Sequence, residues 1–369
     1  ATCLFLDFSK AFDCLNHEQL LQKLGNLGIR GKAQSWFRSY LTDRKMFVEI
    51  NYTENNILQK CQSKTTDTQR GVPQGSVLGP VLFLLLTNDM PNWLGDICHT
   101  VMYADDTALT IANKSIATLQ RNTTATFNKT KLFCTRNDLV LNEKKTVQMT
   151  FSNLRRDLNL TLPDLEIKNT TRHLGIIIDD KLSWKPQIDQ LCKKLSAGNY
   201  VIRRIKQISG TDTAKVAYFA LFESHLRYGI ATWGGTSKTN LERVLINQKR
   251  AIRCLAGLNY RDSCREHFKN FKILTVVSLY IREVILHTVK TPQPRHSDLH
   301  QHNTRHASDF ALPPHHLSLY KKKPSYKGAA YYNHLPEHLK NQPPHSFKKQ
   351  LTLWLQERPF YTEEEFTNS

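Results

Sequence analysis

The sequence predicts a protein in two parts: an α+β first half and an all-α, basic second half. Three observations carry that expectation. Up to about residue 184, short apolar stretches ending in acidic or turn residues interleave with amphipathic helical stretches, without the regular rhythm of a βαβ sheet. Beyond that point apolar residues recur at helical spacing, and Lys and Arg crowd the remaining positions. The length of 369 residues suits two or three domains at about 150 residues each.

The elements follow in order. ATCLFLDF (1–8) is an apolar run closed by Asp7, as in a buried strand with a polar tip. In NHEQLLQKLGNLGI, Asn16 is placed as an N-cap with Gln19 three residues on. Leu20, Leu21, Leu24 and Leu27 repeat at helical spacing, and Gly25 and Gly28 suit the helix end. A short helix fits 33–41. KMFVEINY alternates like a strand, with ILQKCQS as its hairpin partner. GVPQGSVLGP (71–80) is a Gly- and Pro-rich loop running into the apolar helix VLFLLLTNDM. VMYADDTALTI (101–111) reads as strand, tight turn, strand. A polar helix spans 114–137, a turn and strand follow over 139–151, and TRHLGIIIDDKLSW (171–184) reads as one strand with a polar exit. Helices fit 188–206, 213–230, 240–256, 275–289 and 345–357. Residues 291–346 are rich in Pro, His and Lys and show little periodicity.

Composition narrows the class. Lys and Arg number 51 against 32 Asp and Glu, a net charge of +19. The excess is spread along the chain and thickens after residue 180, which points to a polyanionic partner. The apolar run VLFLLL (81–86) falls far short of the ~20 residues of a membrane span. The 8 cysteines lie far apart, and Cys254, Cys264 and His267 match no common zinc spacing. They read as reduced thiols of an intracellular protein, expected in the nucleus and cytoplasm. The chain opens at Ala1 inside an apolar run, as expected of a piece of something longer.

The acidic positions carry the chemistry. Asp7 ends an apolar strand, where an unpaired carboxylate is costly to bury. Asp105 and Asp106 sit at the bend of an apolar hairpin. A turn-capping role accounts for one Asp, but a Tyr-Ala-Asp-Asp bend lacks the Gly or Asn that a two-residue hairpin favours. If the strands bring Asp7 beside the pair, the carboxylates repel one another unless a cation joins them. Mg²⁺ takes few carboxylates and completes its shell with water and substrate phosphates. Two such ions about 3.5–4 Å apart stabilise the attacking and leaving oxygens of an in-line phosphoryl displacement. With a basic chain, that chemistry is nucleotidyl transfer on a nucleic acid.

LDFSKAFD (6–13), RGVPQGSVLGP (70–80) and YADD (103–106), in that order, resemble motifs A, B and C of a reverse transcriptase palm. LNEKKT (141–146) resembles motif D, and HLGIIIDDKLSW (173–184) resembles motif E. The variant is similar to the non-LTR, LINE-type retrotransposon polymerases of the jockey-like kind. YFALFESHLRYGIATWG (218–234), NQKRAIRCLAG (247–257), RDSCREHFK (261–269), HNTR (302–305), YNHLP (332–336) and YTEEEF (361–366) extend the likeness over essentially the whole chain.

The resemblance implies a right-hand polymerase. Its palm with partial fingers would span 1–184, a helical basic thumb 185–290, and a partly irregular C-terminal extension 291–369. It also implies two Mg²⁺ ions, with Mn²⁺ able to substitute, held by Asp7, Asp105, Asp106 and the Phe8 carbonyl. Phe12 would be the aromatic steric gate that excludes a ribose 2′-OH; as a residue type it also suits a core position. Pro73, Gln74, Gly75 and Tyr103 would line the nucleotide and primer end. Lys145 would donate a proton to departing pyrophosphate, and its neighbour Lys144 is an equal candidate. His173, Leu174 and Gly175 would form the primer grip. Lys193, Lys194, Arg203, Arg204, Lys249, Arg250 and Arg253 would lie along an RNA–DNA duplex, which is recognised by shape and backbone.

The partners so implied are an RNA template, a DNA primer or target and deoxynucleoside triphosphates. The implied reaction is RNA-directed DNA synthesis, primed at a nicked target in the full-length parent. The fingers and endonuclease segments of that parent would precede the first motif. A second reading is a remnant that keeps the fold and charge and binds nucleic acid without catalysis. An RNA-templated RNA polymerase is disfavoured by Phe12, because it must admit a ribose.

Overall fold

The computed structural model describes residues 1–152, 162, 164–299 and 307–369. The HNTR segment (302–305) lies outside the described residues. The chain divides into two compact units, Ala1–Gly175 and Ile176–Ser369.

In the first unit the elements are β1 (Thr2–Leu6), α1 (His17–Asn26), α2 (Lys32–Leu41), β2 (Lys45–Met46), β3 (Glu49–Glu54), β4 (Ile57–Gln62), β5 (Thr66–Asp67), α3 (Leu78–Thr87), α4 (Met90–Leu94), β6 (His99–Tyr103), β7 (Asp106–Ile111), α5 (Ile116–Arg136), β8 (Val147–Thr150), β9 (Glu166–Ile167) and β10 (Thr170–His173). The main sheet runs β6-β7-β1-β8-β9. β1 is antiparallel to both neighbours, with Leu4 opposite Leu109 on one side and Gln148 on the other. All five residues of β1 are buried, as a central strand with both faces covered requires. Alternation splits them: Leu4 and Leu6 join Leu20, Leu24, Phe83, Phe127 and Phe133 in the helix-covered core, while Phe5 on the other face meets the His173 ring at 5.3 Å. Each fully buried Leu or Phe contributes roughly 1.5–3 kcal/mol.

Local signals explain the element ends. The Asn16 side chain accepts from the amides of Glu18 and Gln19 and starts α1. Leu20, Leu21 and Leu24 are buried, whereas Leu27 lies past the helix end and is 48% exposed, so the apolar face is one residue shorter than its spacing predicts. The β3–β4 hairpin turns through Asn55 and Asn56, both at positive φ, the type I′ pattern. The apolar helix begins at Leu78, earlier than the run VLFLLL suggests, because Ser76 Oγ accepts from the Gly79 amide. The stretch 171–184 is two strands, not one. Leu174 and Gly175 stand at positive φ and end β10, a reversal that apolar alternation does not reveal.

The second unit begins with β11 (Ile176–Asp179). Its helices are α6 (Lys185–Tyr218), α7 (Ser224–Arg227), α8 (Ile230–Trp233), α9 (Lys238–Ala256), α10 (Arg265–Asn270), α11 (Val276–Lys290), α12 (His296–Leu299), α13 (Pro324–Asn333), α14 (Glu337–Lys340), α15 (Pro344–Gln356) and α16 (Glu363–Thr367). α6 is longer than its periodicity suggests and breaks at Gly210, whose φ of 82° is not helical. One core runs from Ile188 through Trp233, Tyr280 and Phe310 to Phe366, so the Pro- and His-rich segment contributes to the same interior as α6, α9 and α11. Buried Gln248 ties three elements together. Its amide donates to Tyr218 Oη at 2.8 Å and Leu274 O at 2.9 Å, and its carbonyl accepts from the Val276 amide at 2.7 Å. Among the described residues no helix is long and apolar enough to cross a membrane.

Candidate active site

The register places the acidic cluster. Leu6 faces Thr107 in the β1–β7 ladder, so one further step brings Asp7 beside Asp106. Neighbouring antiparallel residues have Cα atoms about 4.5–5.5 Å apart. Tyr103 faces Asp106 across the β6–β7 hairpin, leaving Ala104 and Asp105 as its two-residue bend. Ala104 takes the positive φ, 53°, while Asp105 does not, as in a type II′ turn whose first central position is usually Gly. The bend thus forms without the expected residue and holds strain of about 1–3 kcal/mol, fixing Asp105 at the tip. Asp7 and Asp105 are half-buried and Asp106 is exposed.

Asp7 is held through its backbone. Its amide donates to Thr146 Oγ1 at 3.3 Å, and its carbonyl accepts from the Asn142 amide at 2.8 Å. Thr146 Oγ1 in turn donates to Asn142 O at 2.9 Å. The Glu143–Lys145 turn is therefore strapped to Asp7 at both ends. Lys144 and Lys145 are both exposed on it, and the geometry does not choose between them. Phe8 bridges Leu141, with Ser9 N donating to Val140 O at 2.8 Å. In that wide antiparallel pair the flanking residues make the bonds, so the Phe8 carbonyl points away from Leu141 and is left for another partner.

The Gly-rich loop locks onto the chain after Asp7. Gly71 N donates to Leu15 O at 2.8 Å and Val72 N to Phe12 O at 2.9 Å. Buried His17 Nε2 contacts Gly71 O at 2.7 Å. Gly71 has a φ of +81°, and a Cβ there would lie 2.8 Å from the Asp13 carbonyl oxygen, so glycine is required twice over. Phe12 is half-buried, its ring 5.1 Å from Phe83. Gln74 is exposed and donates to Asp13 Oδ1 at 2.9 Å; Gly75 is exposed, and Pro73 is half-buried. Tyr103 is 68% exposed at the end of β6.

Among the described residues no Lys or Arg pairs with Asp7, Asp105 or Asp106. His173 lies close enough to feel Asp106. Burial pushes its pKa below the ordinary value, and the Asp106 charge opposes that shift. Three unpaired carboxylates at adjacent strand ends suit a divalent cation. Among the described residues no three His, Cys, Asp or Glu side chains are gathered closely enough to hold an ion by themselves. Mg²⁺ keeps several waters and takes substrate phosphates, so this donor set fits it without a closed protein cage. Cys254, Cys264 and His267 form no such group either, and every cysteine is a free thiol.

In the second unit Lys193, Lys194, Arg203 and Arg204 are exposed on α6. Tyr200, 66% exposed, sits among them at helical spacing and adds a stacking ring that charge counting does not find. Arg250 is exposed on α9. Lys249 lies 3.9 Å from the Tyr361 ring centroid, and Arg253 Nε donates to Asp262 O at 2.8 Å, so both are engaged within the unit. The positioning residues Asn142, Thr146, Asp138 and His17 escape sequence reading because each acts through backbone atoms or a distant loop. Asp138 joins Asn16 at 2.9 Å and Arg70 at 3.3 Å.

Residues 1–178 match the family described as reverse transcriptase (RNA-dependent DNA polymerase). The chain is 26% identical over 340 residues to the probable RNA-directed DNA polymerase from transposon BS of Drosophila melanogaster, covering 87% of this chain and 35% of that protein. It is also 26% identical over 267 residues to the RNA-directed DNA polymerase from mobile element jockey of Drosophila funebris, covering 69% and 28%. The chain thus spans about a third of the length of these relatives. An apo telomerase from Candida tropicalis aligns with a TM-score of 0.37 at 14% identity, covering 76% of this chain and 46% of that one. Residues 1–178 therefore match the reverse transcriptase family, and the chain that carries them is similar to the jockey-like non-LTR retrotransposon polymerases.

Proposed function

We propose that this chain is the polymerase module of a non-LTR retrotransposon, extending a DNA 3′-OH with deoxynucleotides on an RNA template. The observation that carries the reading is the convergence of Asp7 with Asp105 and Asp106 at adjacent strand ends, with the Gly-rich loop bonded to the segment that follows Asp7. When bound, divalent cations would activate the 3′-OH and stabilise charge on the departing pyrophosphate. Asp7, Asp105 and the Phe8 carbonyl would hold them, with Asp106 completing the negative charge. The Asp7 backbone is fixed on both sides, which suits a ligand that must not move as charge develops. The Phe12 ring, steadied by Phe83, would exclude a ribose 2′-OH. Lys144 or Lys145 supplies a proton from the turn strapped to Asp7. The exposed stripe of Lys193, Lys194, Tyr200, Arg203 and Arg204 supports duplex binding, and the binding would weaken steeply with salt. In the full-length parent the reaction would be primed at a nicked chromosomal target, so the protein would act in the nucleus after RNA binding in the cytoplasm.

The test is primer extension on poly(rA)/oligo(dT) with Mg²⁺ or Mn²⁺, comparing the chain with Asp105→Asn. Incorporation of dTTP that the Asn variant loses supports the reading. Equal incorporation by both overturns the metal-ligand assignment. Duplex binding without any incorporation favours a nucleic-acid-binding module that lacks catalysis.

A further inference from the structure

The ladder between β1 and β8 is interrupted where Asp7 stands. Phe5 pairs with Val147 and Phe8 with Leu141, so Leu6 and Asp7 face the longer turn Asn142–Thr146. Asp7 spans that gap with a closed ring of bonds. Its carbonyl accepts from the Asn142 amide at 2.8 Å, and its amide donates to Thr146 Oγ1 at 3.3 Å. The same hydroxyl donates to Asn142 O at 2.9 Å. Asn142 O also accepts from the amides of Lys145 and Thr146, at 3.1 and 2.8 Å, so the turn closes on the carbonyl that the hydroxyl holds. Thr146 is buried. The turn is also tied by Glu143 to Lys131 at 2.9 Å, but both partners are more than a third exposed, and such pairs hold weakly. Lys144 and Lys145 are exposed on this turn and form no ion pair among the described residues.

We propose that Thr146 is a positioning residue that couples ion occupancy at Asp7 to the order of the turn carrying Lys144 and Lys145. The proposal rests on the polymerase reading above, in which Asp7 holds a divalent cation. One hydroxyl accepts from the Asp7 amide and donates to Asn142 O, so both segments share a single chain of bonds. An ion that restrains the Asp7 carboxylate also restrains its backbone. Through Thr146 that restraint reaches the carbonyl on which the turn closes. Linkage makes the effect reciprocal: whatever orders the turn tightens ion binding by the same factor. The lysines are then held in place when the ion is bound and are looser when it is not.

The experiment uses the full chain and Mn²⁺, with Thr146→Val, Thr146→Ser and Asp7→Asn as variants. Bound Mn²⁺ is counted by electron paramagnetic resonance, and hydrogen exchange is followed by mass spectrometry on peptides covering 140–150, with and without the ion. Neither readout requires polymerase activity. In the unaltered chain Mn²⁺ is expected to slow exchange in the turn by about fivefold or more, and Asp7→Asn to abolish both the binding and the slowing. Thr146→Val, which keeps the shape and removes the hydroxyl, should lose the slowing and weaken Mn²⁺ by about fivefold or more, and Thr146→Ser should restore both. A merely structural Thr146 gives a different pattern: the Val variant exchanges faster by the same factor with and without Mn²⁺ and binds the ion as before. That pattern overturns the proposal. If the Val variant does not fold, the unaltered chain decides: Mn²⁺ that binds through Asp7 yet leaves exchange in the turn unchanged overturns the coupling while the polymerase reading stands. Mn²⁺ binding that is absent, or indifferent to Asp7→Asn, overturns the ion assignment and the coupling together.

Discussion

Gly71 and Gly75 offer a matched pair of perturbations. Both stand at nearly the same positive φ, +81° and +78°, in the same loop. Alanine at either position meets the left-handed penalty, about 1–2 kcal/mol. They differ in space. A Cβ on Gly75 has nothing within 4 Å, whereas a Cβ on Gly71 lies 2.8, 2.9 and 3.0 Å from the O, Cα and C of Asp13. Those are backbone atoms of a segment already bonded through Phe12 O and Leu15 O, so they cannot turn aside as a flexible side chain could. Forced contacts of that kind cost roughly 1–3 kcal/mol more. Gly71→Ala is therefore expected to destabilise the first unit by about 2–5 kcal/mol, and Gly75→Ala by about 1–2 kcal/mol. The measurement is urea unfolding followed by pulsed hydrogen exchange on β1 and β7 peptides, which isolates the first unit. Activity adds a second readout. Displacing the Asp13 backbone moves Phe12 and Gln74, so KM for dTTP should rise in any folded Gly71→Ala protein. Equal destabilisation by the two variants would refute the close-packing account and leave only the φ penalty.

Other outcomes follow from the same geometry. Burial lowers the His173 pKa, so below the ordinary value of 6.5 the unfolded chain binds a proton that the folded chain resists. Stability from this group is present above pH 6.5 and is lost as pH falls below it; Asp106→Asn removes an opposing charge and should lower the His173 pKa further, as read by NMR titration. Ala104→Gly should relieve the strained bend and raise the urea midpoint of the first unit by a stability equivalent of up to about 1 kcal/mol, whereas Ala104→Val should lower it. Phe366, 2% exposed against Tyr331, Trp354 and Phe360, should cost the second unit about 3–5 kcal/mol when changed to Ala, measured by thermal unfolding. Phe12→Ala should raise ribonucleotide incorporation relative to deoxynucleotide incorporation; an unchanged ratio would remove Phe12 from the gate.

What the sequence made legible was whatever local chemistry decides. The Asn16 cap, the apolar β1, the two-stranded YADD hairpin and the long helices have periodicity or capping residues that speak for themselves. The reversal at Leu174 and Gly175 was hidden because an apolar run flows through it, and only the positive φ values reveal the turn. The segment after residue 290 looks irregular because Pro and His obscure the period. Yet Phe310, Tyr331, Tyr332 and Phe347 are buried, and the helices that carry the last three are stabilised by packing more than by intrinsic preference. Of the site, the carboxylates and the Gly-rich loop could be named from motifs. The supporting roles could not, even for Asn142 and Thr146 inside LNEKKT, since they and His17 lie up to 139 residues from the atoms they hold and act on backbone groups that every residue carries.

That division has a physical logic. A carboxylate that must bind a cation cannot also be neutralised by an Arg or Lys, because a salt bridge would compete with the metal for the same oxygens. Asp7 meets the requirement by drawing its rigidity from the main chain: an amide into Thr146, a carbonyl onto Asn142, and a buried strand before it. Asp105 draws its rigidity from a bend that tolerates strain at Ala104. Gln74 follows the same pattern, with the loop behind it pinned to Phe12 and Leu15 through backbone bonds while its own amide rests on Asp13 in a contact a ligand can replace. Fixing the backbone and leaving the side chains uncommitted lets the site present concentrated charge without reorganising when substrate arrives, which is the condition for preorganised electrostatic catalysis. It also explains why a substitution at Thr146, whose hydroxyl joins the Asp7 amide to Asn142 O, should alter activity even though that side chain would not touch the nucleotide.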